Sequence, residues 1–394
     1  MFRSRLQLFA FLTAILSISS HATAQSLSDQ EFQKLRDRVQ AKIDELRSKA
    51  DFPGVSVGFA LADGRSAGVA SGLADVESKR ALKPSDRLLA GSVGKTFVAA
   101  LMLQLIEEKK LDLDDPLSKW IGREPWFNRL PNGQDITLRS LLNHTSGLKE
   151  YFEAKGFAET LKAHPEKVWT PAERLAFVLD VKPLFAVGKG WSYADTNYIL
   201  VGLVAERVTG KPLFEEIERR LLKPLKLTCV TPSDRQEIPG LVAGFADPRL
   251  PLGFKGKMLS GSKMVVNPQV EWAGGGLATT SEDLARWAKI LFECGTFEKK
   301  ATREAMLTGV DTGSGRGGGR KSRYGLGVQI RDSEWGPSYG HGGWFPGYLT
   351  EMVYYPEKKI AVAVQFNTDA GPSLKKGPPA YAGDIVRVIL EEKK

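Results

Sequence analysis

Apolar residues recur every three to four positions over residues 30–49, where Phe32, Leu35, Val39, Ile43 and Leu46 share one face, and this predicts an amphipathic helix. The period then changes to two. Residues 55–61 and 67–70 read as strands joined by Asp63-Gly64, a hairpin signal. From Ser92 to about residue 292 the signals are mostly helical, broken at Pro and Gly. Residues 93–108 are apolar nearly all round, which predicts a buried central helix. Further helices are predicted over 138–142, 171–179, 197–209, 213–222 and 282–292, the last capped by Thr280 or Ser281. Residues 311–323 are Gly-rich and basic and read as a surface loop. Strand character returns at 324–330, 349–355 and 360–366, before a final helix over 380–390.

Strands from both chain ends therefore flank a helical middle. The economical arrangement is an α/β (α+β) fold. One antiparallel sheet, built from about 25–91 and 300–394 and flanked by the terminal helices, carries a large, mostly helical inserted domain over about 92–299. A cleft is expected where the two parts meet.

The ends and the composition narrow the setting. Residues 1–24 read as a signal peptide: Arg3 and Arg5, an apolar run over 6–18, and Ala22-Thr23-Ala24 before Gln25. The mature chain, 25–394, is expected to be exported, periplasmic or secreted, with no transmembrane anchor. Removing two arginines takes the formal charge from +9 to about +7 (+9 − 2). The basic residues are scattered, so no nucleic-acid face is expected. Cys229 and Cys294 read as two buried thiols rather than a disulfide. His144, His164 and His341 have no ligand spacing, so neither a metal nor a cofactor is expected.

Chemistry concentrates at Leu89-Ala90-Gly91-Ser92-Val93-Gly94-Lys95-Thr96. Gly94-Lys95-Thr96 has the tail of a phosphate-binding loop, but that loop needs glycine where Leu89 stands. The other reading is a serine nucleophile with its lysine, S-x-x-K. That pattern occurs four times, starting at Ser92, Ser146, Ser260 and Ser373, and only Ser92 opens a buried helix. A serine hydroxyl needs a base to take its proton. Burial beside a helix N-terminus would favour a neutral lysine able to serve as one. From Ser92 and Lys95 alone, a helix cap with a solvent-directed lysine is an equal reading.

Two further clusters decide between them. Tyr193, with Asp195 beside it, precedes a helix, and His341-Gly342-Gly343-Trp344 lies at a strand edge. With Ser92 and Lys95 these resemble, in chain order, the three signature elements of the serine β-lactamase and penicillin-binding-protein superfamily. They are most similar to its branch of class C β-lactamases, D-alanyl-D-alanine carboxypeptidases, D-aminopeptidases and related esterases. Residues 136–148 (with Asn143-His144-Thr145-Ser146-Gly147), 198–202 and 274–284 extend the resemblance over most of the mature chain.

The resemblance implies Ser92 as the acylated nucleophile, Lys95 as its base partner and Tyr193 as the proton shuttle. It implies a substrate edge at His341, Gly342 and Gly343, with Asp195 beside the substrate. The backbone N–H groups of Ser92 and Trp344 would form the oxyanion hole. His144 reads as scaffold. Two departures bear on substrate: Asp195 stands where class C β-lactamases have Asn, and His341-Gly342-Gly343 stands for Lys-Thr-Gly. An ionised Asp only accepts hydrogen bonds, which disfavours an amide carbonyl and suits an amine or the lysine. The expected function is an exported serine hydrolase of a D-amino-acid peptide, amide or small ester, with cell-wall-derived peptides among the candidate substrates. A class C-like β-lactamase and a non-catalytic penicillin-binding sensor are the alternatives.

Overall fold

The computed structural model describes residues 27–293, 295–313 and 322–391. The leader-like segment, Cys294 and the middle of the Gly-rich loop lie outside these residues. Strands β1 (Gly54–Ala60), β2 (Ser66–Asp75) and β3 (Arg80–Ala81) come from the first part of the chain. Strands β4 (Val310–Asp311), β5 (Ser322–Tyr324), β6 (Gln329–Ser333), β7 (Gly336–Phe345), β8 (Tyr348–Tyr355) and β9 (Ile360–Phe366) come from the last. They form one nine-stranded sheet in the order β4-β5-β6-β7-β8-β9-β1-β2-β3. The two chain ends meet at β9 and β1, antiparallel from Val55 opposite Phe366 to Ala60 opposite Ala361.

Side chains alternate along these two strands. Val55, Val57, Phe59, Val362, Val364 and Phe366 face the terminal helices α1 (Asp29–Ser48) and α6 (Pro378–Leu390), and pack on Leu35, Val39, Ile43, Tyr381 and Ile385. Helix α1 starts at a capping box, with Ser28 and Glu31 each satisfying the other's backbone N–H. The opposite face of the same strands carries Ser56, Gly58, Ala60, Ala361 and Ala363. These small residues let α5 (Ser281–Phe292) approach closely; a Cβ on Gly58 would sit 2.0 Å from the Ser281 carbonyl oxygen. Helix α5 is capped by Thr280, whose side chain accepts from Asp283 N.

Beyond α5 lie α2 (Lys95–Glu107), buried throughout from Lys95 to Leu103, α3 (Leu138–Leu142) and α4 (Asp195–Thr209). The antiparallel sheet from both ends, the terminal helices and the helical middle are thus as expected. Three details differ. Residues 324–330 are two strands rather than one, because Gly325 and Gly327 turn the chain: Gly327 has φ +75° and Gly325 N donates to Val328 O. The helix expected over 171–179 spans only Pro171–Leu175. Cys229 is a free thiol and half-buried rather than buried, since its N–H is held by the Asp283 carboxylate at the rim of α5 (2.8 Å). No helix among the described residues is long and apolar enough to cross a membrane.

Candidate active site

Ser92 sits in a single 3-10 turn, Gly91–Gly94, that runs directly into α2. The turn is clamped between two backbones. A Cβ on Gly91 would lie 2.6 Å from both N and O of Trp344, and one on Gly94 would lie 1.6 Å from the Gly275 carbonyl oxygen. Gly91 is also left-handed, with φ +53°. From the strand side, a Cβ on Gly343 would reach within 1.9 Å of the Ala90 carbonyl oxygen. Glycine at these positions is what allows strand, turn and loop to touch around the serine.

Lys95, the first residue of α2, is fully buried. Its Nζ donates to Ser92 Oγ (3.1 Å) and to the Gly274 carbonyl oxygen, and pairs with Asp195 Oδ1. Two acceptors and one carboxylate thus surround the amine, a setting suited to an ammonium group. The Tyr193 and Tyr198 rings lie 5.0 and 5.3 Å from the same nitrogen. Burial and the Asp195 charge push the Tyr193 phenol well above its ordinary range, and the neighbouring Ser92 hydroxyl opposes them.

Asp195 opens α4, and its backbone N–H donates to Glu150 Oε2 (2.5 Å). Glu271 completes a group of three carboxyls around one lysine. Gly276 N donates to its Oε2 (3.1 Å), and Gly275 leaves room for its Oε1. Burial, with Asp195 adding repulsion, pushes Glu271 up to about 8 and Glu150 well above the usual carboxylate range.

His144 is fully buried at φ +62°. Its Nδ1 accepts from Ala194 N (3.2 Å) and faces Asn197 Nδ2 (2.9 Å), while its carbonyl accepts from Ser192 N (3.1 Å). Its ring lies 4.3 Å from that of Tyr193. It therefore grips the segment that carries Tyr193 and Asp195. Burial, then the Lys95 charge, holds it well below the ordinary imidazole range.

Strand β7 is not the edge of the sheet, but its second half has an open edge. Strand β6 pairs with it only as far as Gln329 opposite Gly340. Past that point Gly342 N is capped by Gln329 Oε1 (3.2 Å). By the period of two, Trp344 N–H and C=O face the same open side, against the Ser92 turn. His341 is 1 % exposed, with Nε2 on the Tyr324 hydroxyl (2.7 Å) and Nδ1 on Gly342 O (2.5 Å). Both ring nitrogens are engaged within the protein, so the ring has no free donor for a ligand. Burial, then the Lys95 charge, pushes it down to about 3. The Trp344 indole is held by Asp369 Oδ2 (3.2 Å).

Ser92, Tyr193, Asp195, Glu271, His341, Gly342, Gly343 and Trp344 all line one cavity of about 500 Å³. Tyr151, Phe152, Phe157, Trp191 and Phe345 make its walls apolar. Lys95 lies beneath it. The structure thus brings together every residue the sequence singled out. Glu150, Glu271, Tyr324, Gln329 and Asp369 were not among them. Glu150 and Glu271 each lie within three residues of a resemblance stretch, but nothing in their spacing marks them; only the fold brings them to Lys95.

A family model described as Beta-lactamase matches residues 39–385. A D-aminopeptidase of Brucella anthropi is 26 % identical over 304 residues, 77 % of this chain and 54 % of that protein. A penicillin-binding protein of Bacillus subtilis is 26 % identical, over 72 % of this chain and 61 % of that protein. The chain thus spans between half and two thirds of the length of these curated relatives. Among solved structures, a D-stereospecific amidohydrolase from Streptomyces sp. superposes with a TM-score of 0.73 at 28 % identity, covering 91 % of this chain and 98 % of that one. D-amino acid amidase from Ochrobactrum anthropi SV3 shares the fold, with a TM-score of 0.74 at 22 % identity over 92 % of this chain and all of that one.

Proposed function

Since the chain belongs to the Beta-lactamase family, we propose that it is an exported serine hydrolase that works through an acyl-enzyme on an amide, peptide or small ester of a D-amino acid. The observation that carries this reading is the Ser92 Oγ–Lys95 Nζ hydrogen bond (3.1 Å) at the floor of the cavity, with Tyr193 beside it. Ser92 is the nucleophile, Lys95 its base partner, and Tyr193 the group that passes the proton to the leaving amine or alcohol. The Ser92 and Trp344 backbone N–H groups face the position where the oxyanion develops.

The substrate class rests on what the strand edge lacks. No lysine stands at position 341, and the His341 ring is fully engaged. Arg331, the cation near Gly342, is paired with Glu351 (2.6 Å). Among the described residues no cation on this edge is free to hold a substrate carboxylate, which favours amides and amine-bearing substrates over D-alanyl-D-alanine termini and β-lactams. The similarity to a D-aminopeptidase and a D-stereospecific amidohydrolase points the same way. Export is supported by the leader-like residues 1–24.

A fluorophosphonate should become covalently attached to Ser92, and the purified protein should release p-nitroaniline from D-amino-acid anilides. A folded protein that takes no label on Ser92 would overturn the reading.

A further inference from the structure

Lys95 is already engaged: its Nζ donates to Ser92 Oγ and Gly274 O and is ion-paired with Asp195 Oδ1, and the side chain has no exposure. In that state it donates to the nucleophile and cannot relieve it of its proton. Asp195 is what holds the ammonium there, and Asp195 also lines the cavity beside Ser92 and Glu271. Around the single lysine stand three carboxyls, Asp195, Glu150 and Glu271, two more than its charge can balance. Burial pushes the Glu150 carboxyl well above the usual carboxylate range and Glu271 up to about 8, and Asp195 is the carboxyl of the three in ion-pair contact with Lys95. A second cation entering here would find acceptors in excess.

Resting on the serine-hydrolase reading above, we propose that Asp195 selects substrates with a free ammonium beside the scissile carbonyl, and that this ammonium takes Asp195 from Lys95 and so releases Lys95 to act as the base. The charge balances. The substrate brings one positive charge in, and Lys95 loses one proton to solvent through the cavity. A neighbouring cation favours the neutral amine. Neutral Nζ then accepts the Ser92 hydroxyl proton as Oγ bonds to the carbonyl carbon and the C=O electron pair moves onto oxygen. When the intermediate collapses, the C–N or C–O bond breaks and the departing group takes that proton by way of Tyr193. An Asn at 195 could still accept a hydrogen bond but would bring no negative charge to pair with Lys95 or with the ammonium. Substrates whose amine is acylated, as in most β-lactams, bring no cation and leave Lys95 paired.

The test compares three p-nitroanilides on the full chain: D-phenylalanine, its N-acetyl derivative, and 3-phenylpropionate, which lacks the amine. The expected result is a kcat about 100-fold lower for the two uncharged substrates, the low end of what a general base supplies, with a smaller change in KM. Binding of D-phenylalaninol should release about one proton, read from binding enthalpies in buffers of different ionisation heat. Asp195→Asn should bring the three kcat values to within about threefold, raising the uncharged substrates and lowering the charged one. A difference confined to KM, no proton release, or an equal fall for all three substrates in Asp195→Asn overturns the inference. The wild-type comparison and the proton count stand even if the variant does not fold. Fluorophosphonate labelling separates the failures. With Ser92 labelled and turnover indifferent to the amine, only the ion-pair exchange fails. With Ser92 unlabelled and none of the three substrates cleaved, the hydrolase reading fails and takes the exchange with it.

Discussion

The two faces of the sheet are buried to the same degree and built from opposite materials. Toward the terminal helices, β1 and β9 present Val55, Val57, Phe59, Val362, Val364 and Phe366 to an apolar layer of α1 and α6. Toward the helical middle the same strands present glycine and alanine, and the space so released admits α5 and, beyond it, the turn of Ser92. On that second side, and at the end of β7, lie Lys95, Asp195, Glu271, His144 and His341, all at most 6 % exposed. Burying charge is costly unless it is paired. Both faces pack an apolar core, but the terminal-helix face is apolar throughout, while the other also holds these constrained polar groups. Stability and chemistry should separate cleanly on mutation.

The strongest test of that separation pairs one residue from each face. Phe59→Ala removes a fully buried ring between α1 and the sheet and should cost about 3–5 kcal/mol of stability. The fraction that stays folded should keep its kcat. Tyr193→Phe should lower kcat by about 10²–10⁴ while moving the unfolding midpoint little, because the Tyr193 hydroxyl makes no well-formed hydrogen bond in the free protein. Chemical denaturation and steady-state kinetics on both variants decide it. A loss of kcat per folded molecule in Phe59→Ala would mean that the sheet transmits strain to the Ser92 turn.

The next effect in size comes from pH, and the signs differ between groups. His341 falls from 6.5 to about 3 on folding, and His144 is lowered too. Their contribution is present above pH 6.5 and is lost as pH falls toward 3, since the unfolded chain takes up the protons first. Glu271 rises from 4.5 to about 8. Its contribution is complete below pH 4.5 and is lost as pH rises through 8. Stability should therefore peak on the acid side of neutrality. Glu271→Gln cannot ionise, so its stability relative to wild type should increase between pH 4.5 and 8, by roughly 1–3 kcal/mol, and then level off. A difference independent of pH, measured by thermal unfolding, would place the Glu271 proton elsewhere.

How much of this the sequence disclosed follows the same division. The terminal-helix face was legible because it obeys simple periods: Leu35, Val39 and Ile43 recur at helical spacing, and β9 was bounded as observed. The Ser92 turn was legible because Ser92, Lys95, Tyr193 and His341 occur together and in order. What escaped depends on contacts that no period encodes. Asp195 could be read as suiting either an amine or the lysine, and only the folded site puts it on Lys95. Glu150 and Glu271 are 121 positions apart in sequence (271 − 150) and converge because α4 and the Gly274–Gly276 loop both abut the first turn of α2. Gly325 and Gly327 broke a strand that alternation alone would have continued.

The smallest effect concerns two neighbouring glycines at the open edge of β7, which the sequence cannot tell apart. Gly343 faces the Ser92 turn, and an added Cβ would meet the Ala90 carbonyl oxygen at 1.9 Å. Gly342 faces the other way, and the nearest atom to an added Cβ is Glu351 Oε2 at 3.5 Å, an ordinary contact. Neither glycine has a positive φ, so backbone strain does not enter. Gly343→Ala must push the strand off the turn, misplacing the Trp344 N–H relative to Ser92, and should cost at least about tenfold in kcat, since losing one oxyanion donor outright costs 10²–10³. Gly342→Ala should change stability by less than about 0.5 kcal/mol, within the range of a tolerated surface substitution, and leave kcat within about twofold. Its effect should appear instead in KM for substrates with bulky leaving groups, because the methyl group would occupy the passage between the cavity and Gln329. Equal kcat losses in the two variants would show that the open edge is rigid along its whole length rather than clamped at Gly343 alone.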